Sequence, residues 1–280
     1  MSREEEFAIC GKLVEKSRDH TYAEVLQYLE LDLAGDRPDA AKRKSLQHRM
    51  ALRERAPSRL RELLDRAGRA DVPKGGRILD LGCGSGEATV ALSGMGAGEV
   101  VGIDISMVEL VLAKKLFEEC GIEATLVAGC AEALPFEESV FDFVFSPDVI
   151  EHVTDQGSYL KEARRVLRAG GQVLLNSPNR YSVVCPEPHV GIWFLTYLPR
   201  SWLDPVCRML GKGPYVGKRL LSLNELESIV RSTFSEHFIV GRVSNPHATS
   251  LAGKLFHAAS PLSVNAFAQV CDQHVVLARK

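Results

Sequence analysis

The stretch Ile78-Leu79-Asp80-Leu81-Gly82-Cys83-Gly84-Ser85-Gly86-Glu87 decides the fold. Arg77–Leu81 reads as a strand, three glycines follow at alternate positions, and Glu87–Ser93 reads as a helix. Glycine in such a turn permits left-handed backbone and lets ligand atoms approach without an intervening side chain. The spacing separates this turn from two common phosphate-binding loops. A dinucleotide fingerprint would place glycine at 82, 84 and 87, yet position 87 is Glu. A phosphate loop would end in Gly-Lys-Ser/Thr, which is absent.

Outward from the turn, short apolar runs alternate with helical patterns. Strands are predicted at Glu99–Asp104, Ala124–Ala128, Phe141–Phe145, Gln172–Asn176 and Val275–Ala278. Helices are predicted at Val108–Cys120 and Gly157–Arg168, the latter closed by a left-handed cap at Gly170-Gly171. Ser222-Leu223-Asn224-Glu225 is a capping box that opens another helix. This alternation predicts an α/β fold: a Rossmann-like, mostly parallel sheet with helices on both faces. Residues 1–72 read as a helical N-terminal extension or lid, and 73–280 as the ligand-binding domain. Within the latter, 177–221 is a substrate-side insertion after the fifth strand. It holds both tryptophans, half of the six tyrosines and six of the thirteen prolines. Uncommonly long loop regions of this kind are usually functional.

Composition narrows the function classes. The 280 residues carry 34 Lys+Arg against 36 Asp+Glu, a net charge of −2, so no global polycation awaits nucleic acid. The longest strongly apolar run, Val190–Leu198, falls far short of the ~20 residues of a membrane span. The opening MSREEEF has no apolar signal core, and the seven cysteines form no CxxC pair, so a reduced, cytoplasmic protein is expected. The neutral total hides a basic run: Arg37–Arg69 holds eleven Lys/Arg and four Asp/Glu. That run is either a solvated helix face or a docking surface for an anionic substrate.

Two carboxylates suggest the ligand. Asp80, just before the glycines, suits a cationic amino group. Asp104 ends the next strand, 18 residues past Gly86, where a carboxylate can accept hydrogen bonds from both ribose hydroxyls. This pairing fits an amino-acid nucleoside, S-adenosyl-L-methionine, better than a pyrophosphate. The chain here resembles the class I S-adenosylmethionine-dependent methyltransferases, in the ubiquinone-pathway and small-molecule group. The resemblance runs through ILDLGCGSG (78–86), VVGIDIS (100–106), AEALPFEESVFDFVFSPDVIEHV (131–153) and LKEARRVLRAGGQVLLNSPNR (160–180). It implies that Asp80, Gly82, Gly84 and Gly86 line the methionine end of the cofactor and that Asp104 holds the ribose. It further implies Ile105 beside the adenine, Ala131 and Glu132 at the adenine edge, and Ser146 facing the sulfonium. Cys130 departs from the pattern, since many relatives have Asp there.

Methyl transfer from a sulfonium is a direct displacement, and a base is needed only when the acceptor must lose a proton. His152 and Asp148, directly after the fourth strand in Asp148-Val-Ile-Glu151-His152, are the candidate catalytic residues. No metal is assigned. One alternative is magnesium, because Asp148, Glu151 and His152 are similar to an acid-x-x-Glu-His pattern that holds it in some related families, with His189 as a further ligand or base. The expected acceptor is a hydroxyl of a small phenolic, polyketide, sugar or lipid- or glycan-linked molecule. It would be held by the tryptophans, Tyr181, Tyr197 and Tyr215, with Arg180, Arg200 and Arg208 available to an anionic group. A non-catalytic cofactor-binding scaffold is the competing reading.

Overall fold

The computed structural model describes residues 2–68, 71–242 and 268–280. Its centre is a seven-stranded sheet: β1 (Arg77–Leu81), β2 (Glu99–Asp104), β3 (Thr125–Ala128), β4 (Phe141–Pro147), β5 (Leu167–Pro178), β6 (Glu236–Arg242) and β7 (Gln273–Arg279). The spatial order is β3-β2-β1-β4-β5-β7-β6. Neighbours are parallel from β3 across to β5, whereas β7 runs antiparallel to both β5 and β6. The strand order reverses between β1 and β4, and in such open sheets ligands bind beyond the carboxyl ends of the strands at that point. The predicted α/β class and mostly parallel sheet are thus present, with β6 added to the strands read from sequence.

Strands buried on both faces read as continuous apolar runs, which is why Ile78, Leu79, Leu81, Val100, Val101 and Ile103 are all buried. On one face, α6 (Gln156–Val166) and α8 (Leu223–Thr233) bring Tyr159, Leu160, Ala163, Leu226 and Val230 against Leu79, Leu81, Ile103 and Val144. On the other, α3 (Asp39–Ala67) and α4 (Glu87–Gly94) bring Leu60, Leu63, Leu64 and Leu92 against Ile78, Val100, Phe143 and Leu174. Most of the predicted N-terminal extension is therefore built into the sandwich. Helices α1 (Arg3–Ser17) and α2 (Tyr22–Gln27) pack Leu13, Tyr22, Val25 and Leu26 on α5 (Met107–Cys120).

One local expectation is corrected. Helix α6 stops at Val166, and Leu167 is already extended (φ −70°, ψ 142°). Gly170 does take a positive φ of 79°, but inside β5 and not as a helix cap. There its N–H donates to the Lys280 carbonyl at 2.9 Å, and the Lys280 N–H donates to the Gly171 carbonyl at 3.0 Å. Pairing with the chain's last residue satisfies this backbone, a long-range partner that local sequence does not announce.

Candidate active site

Beyond the ends of β1, β2 and β4 lies a cleft of about 450 Å³, within the range of small-ligand sites. Gly82, Asp104, Ile105, Cys130, Ala131 and Glu132 line it together with Asp148, Val149, His152, Val153 and Thr154.

The three glycines have different reasons to be glycine. All sit at positive φ: 79° at Gly82, 51° at Gly84 and 88° at Gly86. A Cβ at Gly82 would lie 2.4 Å from Val149 Cγ2, and one at Gly86 would lie 2.5 Å from Phe117 Cε1. Packing within the protein forbids side chains at these two positions. A Cβ at Gly84 would meet nothing within 4 Å. Gly84 alone leaves open space above its backbone, where a ligand can approach.

Asp104 ends β2, and its carboxylate accepts from Gly84 N–H at 2.9 Å and Ser106 N–H at 2.8 Å. Each carboxylate oxygen keeps a lone pair for a ribose hydroxyl. Ile105, beside it, is an apolar side chain left 75% exposed at the cleft wall, a surface an adenine would cover. At the expected adenine edge, Cys130 Sγ donates to Glu132 Oε2 at 2.8 Å, and Glu132 Oε1 accepts from Thr154 N–H at 2.7 Å. Burial raises the Glu132 pKa, but these hydrogen bonds outweigh it and hold the carboxyl below its ordinary range. Glu132 thus pins together two of the segments that line the cleft.

Two expected cofactor residues lie behind this surface. Ser146 is fully buried, and its hydroxyl donates to the Leu81 carbonyl at 2.7 Å. This bond braces β4 against β1 at the position expected to face the sulfonium. Asp80 is also fully buried, accepting from Thr89 Oγ1 at 2.6 Å through Oδ2, while Oδ1 has no partner. Burial, with the nearby Asp104 and Glu87 charges, pushes its pKa up to about 7. An orphaned buried carboxylate oxygen behind a glycine turn fits a ligand that brings a cationic amino group. The open face of Gly84, the unmet Asp80 oxygen and the carboxylate of Asp104 together fit S-adenosylmethionine.

Around His152, the predicted acid–Glu–His pattern separates. Asp148, at a φ of 53°, directs its carboxylate to Arg59 of α3 and the Asn176 amide. These contacts tie the segment that carries His152 to α3 and β5. Glu151 is buried, and burial and the Asp148 charge raise its pKa. His152 Nε2 lies 4.0 Å from Glu151 Oε1 and 3.4 Å from His189 Nε2. His189 comes from the insertion, and its Nδ1 is 2.6 Å from Glu187 Oε1. Glu187 is itself buried and accepts from Tyr215 OH at 2.9 Å and from the backbone N–H groups of His189 and Val190. Burial of His152, and then the His189 charge, hold its pKa below the ordinary imidazole range, so it is a neutral base near pH 7. Glu151, His152 and His189 offer three ligand atoms within 4.8 Å of one another. Two imidazoles and a carboxylate suit a transition metal better than magnesium, which prefers oxygen ligands. The expected set containing Asp148 is therefore not the one assembled.

Sequence reading missed two features. Part of the basic run is turned inward: Arg49 contacts Glu30 (3.1 Å), Glu109 (2.6 Å) and the Ser85 hydroxyl (3.2 Å), and Arg53 faces Glu119 (3.5 Å). With Tyr22 OH donating to Glu87 at 3.0 Å, the N-terminal helices are tied directly to the glycine turn. Conversely, the tryptophans do not form a cavity. Trp193 and Trp202 are 49% and 60% exposed, and Trp193, Phe194, Tyr197 and Tyr181 form a chain of ring contacts spaced 5.1–5.9 Å.

The fold is that of class I methyltransferases. Residues 79–175 match the family model described as methyltransferase domain. Over 129 residues the chain is 35% identical to a ubiquinone biosynthesis O-methyltransferase of Azorhizobium caulinodans, covering 46% of this chain and 51% of that one. A demethylmenaquinone methyltransferase of Bacillus licheniformis is 38% identical over 106 residues, 37% and 45% of the two chains. The chain spans about half the length of the curated relatives it matches. A Thermotoga maritima structure described as an S-adenosylmethionine-dependent methyltransferase, possible histamine N-methyltransferase, shares the fold. The TM-score is 0.54 at 21% identity, covering 85% and 95% of the chains. Residues 79–175 therefore form a methyltransferase domain, of the class whose methyl donor is S-adenosyl-L-methionine. No helix among the described residues is long and apolar enough to cross a membrane.

Proposed function

We propose that the protein transfers a methyl group to a hydroxyl of a small-molecule acceptor, with His152 as the base. The observation that carries this reading is the shared cleft: Asp104, Ile105 and His152 line the same cavity. S-adenosylmethionine, when bound, supplies an electrophilic methyl group on a sulfonium. Asp104 would hold the ribose, the Gly84 backbone would admit the methionine end, and Asp80 would meet its ammonium. Cys130, Ala131 and Glu132 would bound the adenine. His152 would take the acceptor's hydroxyl proton, with the Glu151 carboxyl 4.0 Å from its Nε2. Glu187 fixes the His189 ring through Nδ1, as a carboxylate orients a histidine in other proton-transfer sites. Alignment of donor and acceptor supplies much of the acceleration of a direct displacement.

The relatives' names point to different acceptors, so the acceptor here is assigned by test. Incubation with S-adenosylmethionine and a panel of phenols, sugars and lipid-linked alcohols should release S-adenosylhomocysteine with at least one. Tight cofactor binding without product across the panel would instead favour a non-catalytic scaffold.

A further inference from the structure

A second, smaller cavity of about 80 Å³ is lined by Arg180, Thr196, Arg200, Leu203, Tyr215, Lys218, Arg219 and Leu220. Four of these eight side chains are cations, contributed by the start of the insertion, by α7 (Arg200–Met209) and by the segment before α8. Charge compensation is thin. Glu225 lies 2.8 Å from Arg200 and 3.8 Å from Arg180, and it is also bound into the capping box of α8. Among the described residues, Lys218 and Arg219 meet no carboxylate at ion-pair distance. Lys218 Nζ lies over the Tyr215 ring, 5.5 Å from its centroid. The Arg180 side chain is only 15% exposed, and its guanidinium donates to the Thr196 carbonyl at 3.1 Å. Burial and the neighbouring Arg180 charge lower the pKa of Arg200, although Glu225 acts in the opposite direction. Gathering cations without matching carboxylates costs desolvation and mutual repulsion, a cost relieved when an anion enters.

The cavity is coupled to the candidate reaction centre by direct contacts. Its wall residue Tyr215 donates to Glu187, Glu187 holds His189, and His189 meets His152. The Arg219 N–H donates to the Glu151 carbonyl at 2.7 Å, and the Gln156 amide donates to the Arg219 carbonyl at 3.0 Å. These backbone bonds fix where the Arg219 side chain begins. Cations converging from three chain segments suit a tetrahedral dianion, which accepts from several directions, better than a planar carboxylate.

We propose that this cavity is a subsite for a phosphate group carried by the methyl acceptor. The proposal rests on the methyltransferase reading above and names the acceptor's class: a phosphorylated molecule whose hydroxyl reaches His152 while its phosphate sits among Arg180, Arg200, Lys218 and Arg219. The phosphate takes no part in bond making. It anchors the acceptor at a fixed distance from the base.

The test uses the full chain and inorganic phosphate as the probe. Calorimetry or thermal shift at low salt compares phosphate with chloride at matched ionic strength, for the wild type and for Lys218→Ala/Arg219→Ala. These substitutions leave the backbone bonds of Arg219 in place. Phosphate-specific binding that weakens at least about tenfold in the double variant, with S-adenosylhomocysteine affinity unchanged, supports the subsite. Phosphate behaving as chloride does, or binding equally to both proteins, overturns it. Competition distinguishes two sources of the group. Displacement by phenyl phosphate supports the site with a soluble ester, and displacement by phosphatidic acid vesicles alone supports it with a lipid headgroup. Displacement by neither overturns it. Absence of S-adenosylhomocysteine binding contradicts the methyltransferase reading itself, so the two failures are distinguishable.

Discussion

On the cofactor side of the cleft, Asp104 accepts two backbone hydrogen bonds, Gly82 and Gly86 are fixed by close packing, and only Gly84 opens to free space. On the acceptor side, His152 stands 45% exposed and meets the rest of the site mainly through side chains of the insertion. The first half is shaped by backbone contacts within a few strands and turns. The second is assembled from segments distant in sequence, joined through the buried Glu187. Cofactor binding and acceptor chemistry should therefore fail separately when each half is altered.

The largest separation is expected at the base. His152→Ala should lower turnover with the true acceptor by about 10²–10⁴-fold while S-adenosylmethionine affinity changes little. Normal turnover in steady-state assays would break the assignment. Next come the glycines, which divide the cofactor half itself. Gly82→Ala should cost roughly 2–4 kcal/mol of stability, because the new Cβ meets Val149 at a positive φ. Gly84→Ala should cost about 1–2 kcal/mol, from backbone strain alone, and should weaken cofactor binding. Denaturant melts beside titrations would show the two orders reversed if the open face of Gly84 is not where the ligand lies. Asp104→Ala should weaken the cofactor by about 1–3 kcal/mol through loss of charge-assisted hydrogen bonds.

The smallest effect is in the pH dependence of cofactor affinity. Asp80 holds a proton up to about pH 7 in the free protein, and pairing with an ammonium requires its loss. Affinity should then rise by up to about tenfold per pH unit as pH climbs toward 7 and level off above it. Stability of the free protein has the opposite sign. The folded state keeps the Asp80 proton above the ordinary carboxylate range, so that contribution is lost as pH rises through about 7. A flat affinity profile between pH 6 and 8 would remove Asp80 from the methionine end.

The proposed cofactor half offers local signals to a sequence reading. The strand, the three glycines and the acid at the end of β2 lie within residues 77–104, and backbone geometry requires those residue types at those positions. Even there, burial decided what sequence could not: Ser146 and Asp80 lie behind the cleft surface because strand alternation and close packing place them inward. The acceptor half was legible only as a list of candidates. Nothing near Asp148 announces that Arg59, 89 residues earlier, takes its carboxylate, and nothing near His152 announces His189. Nor does the basic run of α3 announce which of its cations turn inward, since the acids they face are scattered over Glu30, Glu109, Glu119 and Asp148. Aromatic composition misled: Trp193 and Trp202 lie on the surface, while the cations of the same insertion surround a cavity.

Calorimetric titration of the purified protein with S-adenosylmethionine and, separately, with NAD tests the central claim most directly. The account predicts one-site binding of S-adenosylmethionine, weakened in Asp104→Ala, and no binding of NAD. Binding of NAD in preference to S-adenosylmethionine, or S-adenosylmethionine affinity indifferent to Asp104, would contradict it.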